Sequence, residues 1–363
     1  MFALAAATVF ALAACSDDTD NPYAHTSTIS VVDANVNFDA LADTGTVHTS
    51  AAITKVNGGA SWLHATLKND TTLTVVVDTN TNLTERYAHL VLYNGSDSAA
   101  ITVQQMGSRA TIEVPSNLHF ADAGSTRSYL ATSNVGFHVL SADSWLTATV
   151  NGDSLSVTAA ANTTGALRQG VIKYQYGSTI DSVVVSQFDF SKDVAGTYRL
   201  YYTDPESGKM YYMNATVSES ALKFTDDNLS LATTLDSETG LYSLKSGQYM
   251  GTFSNNGTTY YLYNIFFDAS MSSASDFSTS ESYSFAFGYD SELGTYAETS
   301  ASSSWGDISI AAFSEKSFSE DALKGWYAHL AQPILVRTGS AAAKSARLAR
   351  AKKVNMHSFS LFK

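Results

Sequence analysis

One stretch of the sequence occurs twice at a fixed distance, and this repeat restricts what the chain can fold into. A Ser-Trp-Leu triplet is centred on Trp62 in the first copy and on Trp145 in the second. Further matching residues lie 82 positions apart: Leu73 and Leu155, Val75 and Val157, Asn80 and Asn162, Arg86 and Arg168, and Gln105 and Gln187. Such a period predicts two consecutive copies of one structural unit.

Each copy consists of strand patterns divided by turn signals. Apolar residues at alternate positions are typical of half-buried strands. They occur at Leu73, Val75 and Val77 in the first copy and at Leu155, Val157 and Ala159 in the second. Asn-Gly sequences at residues 57–58, 94–95 and 151–152 indicate turns between strands. The pattern predicts an all-β chain that begins with two tandem immunoglobulin-like β-sandwiches, over residues 27–107 and 108–189.

The ordered set of Trp, Asn, Arg and Gln in each copy resembles the BACON domain, a β-sandwich module named for Bacteroidetes-associated carbohydrate binding. Gly165 and Gly170 of the second copy depart from the repeat, because the first copy has no glycine at the matching positions. The resemblance implies a sandwich fold and, through the family's name, a carbohydrate-related role. It assigns no ligand-binding residue to this chain, because a fold does not define a binding site.

Length and charge narrow the possible classes of protein. A chain of 363 residues exceeds one ordinary domain, and the repeat favours three. The net charge of -13 argues against nucleic acid as a partner, because an acidic surface repels the phosphate backbone. Charged residues make up only 15% of the chain, which is typical of extracellular β proteins rich in Ser, Thr and Asn.

The chain begins with an apolar run, residues 1–14, that ends directly before Cys15, the single cysteine. This looks like a bacterial lipobox, which implies a cleaved signal peptide and a lipid on Cys15. The acidic stretch at residues 16–20 is similar to the signal that sends lipoproteins of the Bacteroidetes to the cell surface. We therefore expect a surface-exposed protein anchored by its lipid to the outer membrane, with residues 15–26 as a tether. The alternative is a short apolar terminus with an incidental cysteine.

Aromatic residues become more frequent after Phe188. Residues 190–363 hold 28 Phe, Tyr and Trp residues, against 14 in residues 1–189. Strand-like runs alternate here with turn signals such as those at residues 204–208 and 255–257. We predict an antiparallel β domain over residues 190–337, either a sandwich or a lipocalin-like barrel of eight strands. Residues 319–330 are expected to form a short helix or turn that places Trp326 in the core.

Tyrosines of this third domain are candidates for a binding surface. They occur as adjacent pairs at residues 201–202, 211–212 and 260–261, and one ring of each pair must face away from a sheet's core. Tyr202, Tyr212 and Tyr261 would then form a flat platform for polysaccharide. The alternative is that outward tyrosines only favour strand pairing. Trp305, in a serine-rich loop, is the better single candidate because loops often carry binding sites.

The repeated tryptophans allow two interpretations. Trp62 and Trp145 lie out of phase with the strands that follow them, so strict alternation would expose both indoles for stacking against a sugar ring. Alternatively, each indole closes the end of its sandwich, as sandwiches commonly bury one tryptophan. We favour the second interpretation, and we expect the repeated Arg and Gln residues to be structural as well.

Sequence motifs for catalysis, cofactors and metals are missing. The chain has no G-x-S-x-G elbow, no H-E-x-x-H and no phosphate-binding glycine loop, and its eight histidines lack metal-ligand spacing. Asp226, Asp227 and Glu281 are the acids that we considered as a glycosidase pair, but such carboxylates must face each other across a substrate. We therefore predict a protein that is not an enzyme and needs no cofactor.

Residues 338–363 form a basic C-terminal tail with six Lys and Arg residues and no acid. The simplest expectation is a solvated or disordered tail. The alternative is an interaction arm that contacts lipopolysaccharide or the protein's own acidic surface.

These features together predict a lipoprotein whose sandwiches act as spacers and whose third domain binds polysaccharide. The alternative is a structural or adhesive surface protein without a glycan site, whose partners are outer-membrane proteins.

Overall fold

The computed structural model describes residues 28–339, Leu348, residues 352–353 and residues 360–361. The predicted signal peptide, Cys15 and the tether lie outside the described residues. Among the helices of the described chain, none has the length and apolar character needed to cross a membrane. The chain divides into two compact units, Met1–Gly107 and Ser108–Lys363.

The first unit contains a β-sandwich of two four-stranded sheets. Its strands are β1 (Val31–Ala34), β2 (Asn37–Phe38), β3 (Asp43–Thr49), β4 (Lys55–Gly58), β5 (Leu63–Asn69), β6 (Thr72–Val77), β7 (Arg86–Asn94) and β8 (Asp97–Gln105). One sheet has the order β1-β3-β6-β5 and the other β2-β8-β7-β4. Alternate residues such as Leu73, Val75 and Val77 are fully buried between the sheets, as their spacing predicts.

The second unit begins with a sandwich of the same connectivity. Its strands are β9 (Ala110–Ile112), β10 (Asn117–Phe120), β11 (Ser125–Ser133), β12 (Phe137–Ala142), β13 (Leu146–Asn151), β14 (Ser154–Ala159), β15 (Arg168–Tyr176) and β16 (Thr179–Gln187). The sheets have the orders β13-β14-β11-β9 and β10-β16-β15-β12. Both sandwiches contain one parallel pair at equivalent places, β2 with β8 and β10 with β16. The prediction of two tandem sandwiches is thereby confirmed.

A closed barrel follows the second sandwich in the same unit. A π-helical turn, Phe190–Val194, leads into it, and a 3-10 turn, Glu320–Ala322, precedes its last long strand. Its strands are β17 (Gly196–Thr203), β18 (Met210–Ser218), β19 (Ala221–Phe224), β20 (Leu229–Leu235), β21 (Tyr242–Lys245), β22 (Tyr249–Asn255), β23 (Thr258–Phe267), β24 (Ser282–Asp290), β25 (Gly294–Thr299), β26 (Asp307–Phe313) and β27 (Leu323–Arg337). Eight of them close a ring in the order β17-β18-β19-β20-β21-β24-β25-β27, because β27 also pairs with β17. The lipocalin-like barrel is the correct member of the two predicted alternatives.

Strand β27 joins this ring to a second sheet. Its first half pairs with β26, which continues through β23 to β22, and its second half pairs with β17 and β25. The change of partner occurs at Gln332, which has a positive φ of 48° and is followed by Pro333. The expected helix or turn over residues 319–330 is therefore wrong beyond Ala322. Residues from Leu323 onward are extended because they pair with β26.

Aromatic side chains fill the interior of the barrel. The largest fully buried side chains include Tyr198, Tyr242, Tyr283, Phe266 and Phe285, and all five belong to one core cluster. A ring of eight strands encloses a space that side chains can fill. Much of the excess of aromatic residues after Phe188 is therefore explained by side chains that fill the barrel core.

Short parts of the basic tail lie against the barrel. Strand β28 (Lys352–Lys353) pairs in parallel with β18, and β29 (Ser360–Leu361) pairs with β27. Leu348 is buried beside Tyr201 and Val336. Lys353 Nζ lies 3.1 Å from Asp226 Oδ1, so this lysine contacts the protein's own acidic surface, one of the predicted alternatives. Thr338 and Gly339 are also described, and the remaining residues of the tail lie outside the described residues.

Leu73 and Leu155 test whether the two units are independent. They occupy equivalent positions, and both are fully buried. Replacing either with alanine should remove about 2–5 kcal/mol from the unit that contains it, through lost burial and a residual cavity. Hydrogen exchange during urea unfolding of the full chain is expected to show lower protection of residues 28–107 in Leu73→Ala and of the second unit in Leu155→Ala. Equal loss in both units from one substitution would contradict their independence.

Candidate functional site

The repeated glutamine is the centre of a hydrogen-bond network in the first sandwich. Gln105 is fully buried, and its Nε2 donates to the carbonyls of Ala40, Leu41 and Asp78 at 3.0–3.2 Å. Its Oε1 accepts two hydrogen bonds from Arg86, at 2.9 Å from Nε and 2.7 Å from Nη2. The amide thus ties three loop carbonyls to one arginine.

The second sandwich repeats this network. Gln187 Nε2 donates to the carbonyls of Ala121 and Ala160 at 2.9 and 3.0 Å, and its Oε1 accepts from Arg168 at 2.9 and 2.7 Å. Asn162 holds the adjoining loop by donating to the Ala166 carbonyl, as Asn80 does with Thr84. The residues that define the repeat therefore connect loops at the end of each sandwich.

Each repeated tryptophan is covered by the same arginine. The guanidinium carbon of Arg86 lies 4.4 Å from the ring centroid of Trp62, and that of Arg168 lies 4.2 Å from Trp145. Both indoles are half-buried and pack against the core of their sandwich. A sugar ring cannot occupy an indole face that already carries a guanidinium group, so this geometry favours the role of closing the sandwich.

The candidate residues of the barrel lie in separate places. Tyr202 points into the barrel core, where it is 5% exposed, and burial raises the pKa of its hydroxyl. Tyr212 lies on the outside with Tyr201, but Arg199 covers its ring at 4.7 Å and Leu348 packs on the same cluster. The three predicted tyrosines therefore do not share one face.

Trp305 is half-buried against the barrel core. Its Nε1 donates to Glu281 Oε2 at 3.3 Å. Glu281, one of the three candidate acids for glycoside cleavage, is therefore engaged in a hydrogen bond. The other two are also engaged, since Asp226 pairs with Lys353 and Asp227 accepts a hydrogen bond from Tyr327 at 3.1 Å. Among the described residues, no group of three or more His, Cys, Asp or Glu side chains is placed to hold a metal ion.

Tyr261 is partly buried against a second core cluster, on the face of the β22-β23-β26-β27 sheet that points away from the barrel core. The most exposed ring there is Tyr249, at 38%, which lies 6.3 Å from Tyr261 and 5.6 Å from Tyr263. Lys316 Nζ lies over the Tyr249 ring at 4.3 Å. Neither Tyr249 nor Lys316 was among the predicted site residues. This cluster resembles the tryptophan sites in that a cation covers the open ring.

A groove of about 450 Å³ lies on the outer wall of the barrel. Its lining residues are Ala232, Thr233, Thr234 and Asp236 near β20, Ser243, Leu244 and Lys245 of β21, and Gln248 and Ser282. Gln248 lies between β21 and β22 and bonds to β20: its side chain accepts from the Ala232 amide at 2.8 Å and donates to the Ala232 carbonyl at 2.9 Å. It therefore lines the groove beside the residues of β20 and β21.

The groove presents both donors and acceptors of hydrogen bonds. Thr234, Ser243 and Ser282 supply hydroxyls, and Lys245 supplies an ammonium group that also donates to the Ser280 carbonyl. The pKa of Asp236 lies below its ordinary value, mainly because the Thr239 amide donates to the carboxylate, which outweighs the effect of burial. The volume of the groove falls within the range of ligand sites, roughly 300–1,000 Å³. This chemistry suits a neutral ligand with many hydroxyl groups.

No local sequence pattern indicates this groove. Outward Ser, Thr and Lys residues on β20 and β21 look like ordinary solvent-facing strand positions. Only their arrangement with Gln248 and Ser282 makes them line a concave surface.

Two segments of the chain match a family model. Residues 51–106 and 137–188 match BACON, described as "Putative binding domain, N-terminal". The chain therefore contains two tandem BACON domains, which confirms the resemblance seen in the repeat. No curated protein matches the chain.

Several solved structures resemble part of the chain. A chimeric titin Z1Z2 is 12% identical, with a TM-score of 0.24 over 46% of this chain and 99% of that one. The titin I9-I11 tandem is 8% identical, with a TM-score of 0.32 over 65% of this chain and 94% of that one. An endo-fucoidan hydrolase of glycoside hydrolase family 107 is 9% identical, with a TM-score of 0.20 over 42% of this chain and 32% of that one. These scores are low, and we draw no functional conclusion from them.

Substituting Gln105 with methionine tests the buried network. Gln105→Met keeps the approximate size of the side chain but leaves three carbonyls and Arg86 without their partner, so the first unit should lose about 2–4 kcal/mol. Urea unfolding of the full chain measures this loss. Gln104→Met is the matched control, because the side chain of Gln104 bonds to the surface residues Glu85 and Tyr87 and not to loop carbonyls. Equal effects of the two substitutions would contradict the special role of Gln105.

Proposed function

We propose that this chain is a lipoprotein of the outer-membrane surface whose barrel binds polysaccharide without cleaving it. The groove between β20, β21 and Gln248 carries the proposal. In this scheme the lipid on Cys15 anchors the chain, and the two BACON domains separate the barrel from the membrane.

The chemistry of the groove supports a saccharide ligand. Sugar hydroxyls both donate and accept hydrogen bonds, and the groove offers hydroxyls, an ammonium group and a carboxylate within one concave surface. The two BACON domains also support a carbohydrate-related binding or spacer role. Their own repeated residues are occupied by structural contacts, so we place the ligand on the barrel.

The engagement of the candidate acids supports a non-catalytic role. Asp226, Asp227 and Glu281 each bond to another side chain of the protein. A retaining or inverting glycosidase needs two carboxylates that flank the scissile bond. We therefore expect no release of reducing sugar from any polysaccharide that the protein binds.

A structural or adhesive role with outer-membrane protein partners is the second candidate. The observation that favours it is a set of exposed apolar residues near the C-terminal end of the first sandwich: Leu41, Leu83 and Tyr87, which are 53%, 62% and 51% exposed. The Leu41 carbonyl accepts a hydrogen bond from Gln105, the Leu83 carbonyl lies beside Gly107, and Tyr87 pairs with Gln104, so all three lie near this end. Exposed apolar residues that lie together often belong to protein interfaces. Cross-linking in intact cells, with Leu83→Asp as the variant, separates this role from glycan binding.

Binding to a panel of polysaccharides tests the groove. Affinity electrophoresis of the ectodomain with laminarin, xylan, galactomannan, pectin and mucin glycans should reveal at least one ligand. Thr234→Trp should weaken that binding at least roughly tenfold, about 1.4 kcal/mol, because the indole fills the groove.

Thr66→Trp provides the matched control, since Thr66 is an exposed strand residue of the first sandwich, outside the groove. It should bind like the wild type. A wild-type ectodomain that binds none of the five polysaccharides would refute the proposed function. Binding that survives Thr234→Trp unchanged would place the ligand elsewhere.

Cys15→Ser tests the lipid anchor. The variant should lose incorporation of labelled palmitate and leave the membrane fraction, because a thioether-linked lipid needs the cysteine sulfur. Protease treatment of intact cells should degrade the wild-type protein if it faces outward. A Cys15→Ser protein that remains lipid-labelled would contradict the anchor.

A further inference from the structure

The hairpin that carries the groove is held at its tip by the second BACON domain. Residues 236–241 connect β20 to β21, and the backbone amide of His119 donates to the Glu238 carbonyl at 2.7 Å. Arg127 donates to the same carbonyl at 3.0 Å and to the Ser237 carbonyl at 3.3 Å. The His119 ring adds two contacts, from Nδ1 to the Ser237 carbonyl at 3.2 Å and from Nε2 to the Phe188 carbonyl at 2.9 Å.

Asp236 connects this tip to the groove. Its Oδ1 accepts hydrogen bonds from the amides of Glu238 and Thr239 and from the Thr239 hydroxyl, at 2.7–3.0 Å. The same residue lines the groove. A movement of the tip must therefore move one wall of the groove.

Gly240 lets the tip approach the sandwich closely. It has a φ of +70°, and a Cβ built on it would lie 2.9 Å from the Cβ of His119. A side chain at this position would be strained by the backbone and would also contact His119. The local sequence of the hairpin is thus matched to the surface that holds it.

The contacts of His119 and Arg127 are specific to the second copy of the repeat. The equivalent residues of the first copy, 82 positions earlier, are Asn37 and Gly45. Both sandwiches keep the Gln, Arg and Trp network, so the fold does not require the change. The second copy differs where it meets the barrel.

We propose that the second BACON domain shapes the binding site from outside it, and that His119 and Arg127 are positioning residues for the Asp236 wall of the groove. The role toward a saccharide rests on the proposed function, whereas the positioning of the tip does not. The first BACON domain has no side chains of this kind at the equivalent positions and remains a spacer.

Hydrogen exchange in the full chain tests the positioning. The double variant His119→Asn, Arg127→Ala should exchange the amides of Glu238, Thr239 and Gly240 on the order of tenfold faster than the wild type, because the tip opens more often when its partners are removed. The amides of β14, in the sandwich core, should be unchanged and thereby report that the domain is folded. Compared with Arg127→Ala, Arg127→Lys should retain part of the protection, because an ammonium group still donates to the same carbonyls.

Gly240→Ala tests the same contact from the barrel side. It should also accelerate exchange at the tip, through the contact with His119 and the positive φ. Unchanged exchange at residues 238–240 in both the double variant and Gly240→Ala would overturn the proposal.

Binding measurements separate this proposal from the proposed function. If the wild type binds a polysaccharide of the panel, the double variant should weaken that binding at least threefold. Faster exchange at the tip with unchanged affinity would show that the tip does not shape the site, and it would overturn the proposal while the proposed function stands. If the wild type binds nothing in the panel, the saccharide role falls with the proposed function, and the exchange data alone decide whether the tip is positioned by the sandwich.

Discussion

A buried glutamine amide secures the end of each sandwich. A primary amide in the core needs partners for both its donor and its acceptor, because an unpaired buried polar group costs about 1–3 kcal/mol. Loop carbonyls and an arginine satisfy Gln105 and Gln187 in the same way. The arginine in turn lies on the tryptophan of its own copy. One chain of contacts therefore explains why glutamine, arginine and tryptophan recur together.

The second sandwich contains the same network and also packs against the barrel. Phe188, directly after Gln187, packs on His119 and on Phe287 of the barrel, with centroid distances of 4.2 and 6.1 Å. Leu167, directly before Arg168, is buried in the core cluster of the barrel. The neighbours of the network residues thus form the joint. Gly170 has a related explanation, because a Cβ there would lie 2.9 Å from the Trp145 ring.

Many of the aromatic residues after Phe188 pack in the core clusters of the third domain and do not form a binding platform. Alternation along strands correctly indicated that one tyrosine of each adjacent pair points outward, and Tyr212 and Tyr261 do so. The prediction was wrong for the first pair, because Tyr202 faces the core and Tyr201 does not. Cations from distant positions also cover exposed rings, as Lys316 covers Tyr249. Contacts of this kind depend on chain segments that the local pattern cannot bring together.

The sequence by itself determined the strands, the two sandwiches and the β character of the third domain, because strand periodicity and turn residues are local properties. It also indicated that the repeated residues are structural. Only the tertiary structure decided that the third domain closes into a barrel, since closure requires β27 to bend at Gln332 and pair with β17. The groove likewise depends on Gln248, which bonds to Ala232 of β20 and lines the groove beside β20 and β21. Both features depend on contacts between residues that are not neighbours in sequence, and no local pattern of residues specifies them.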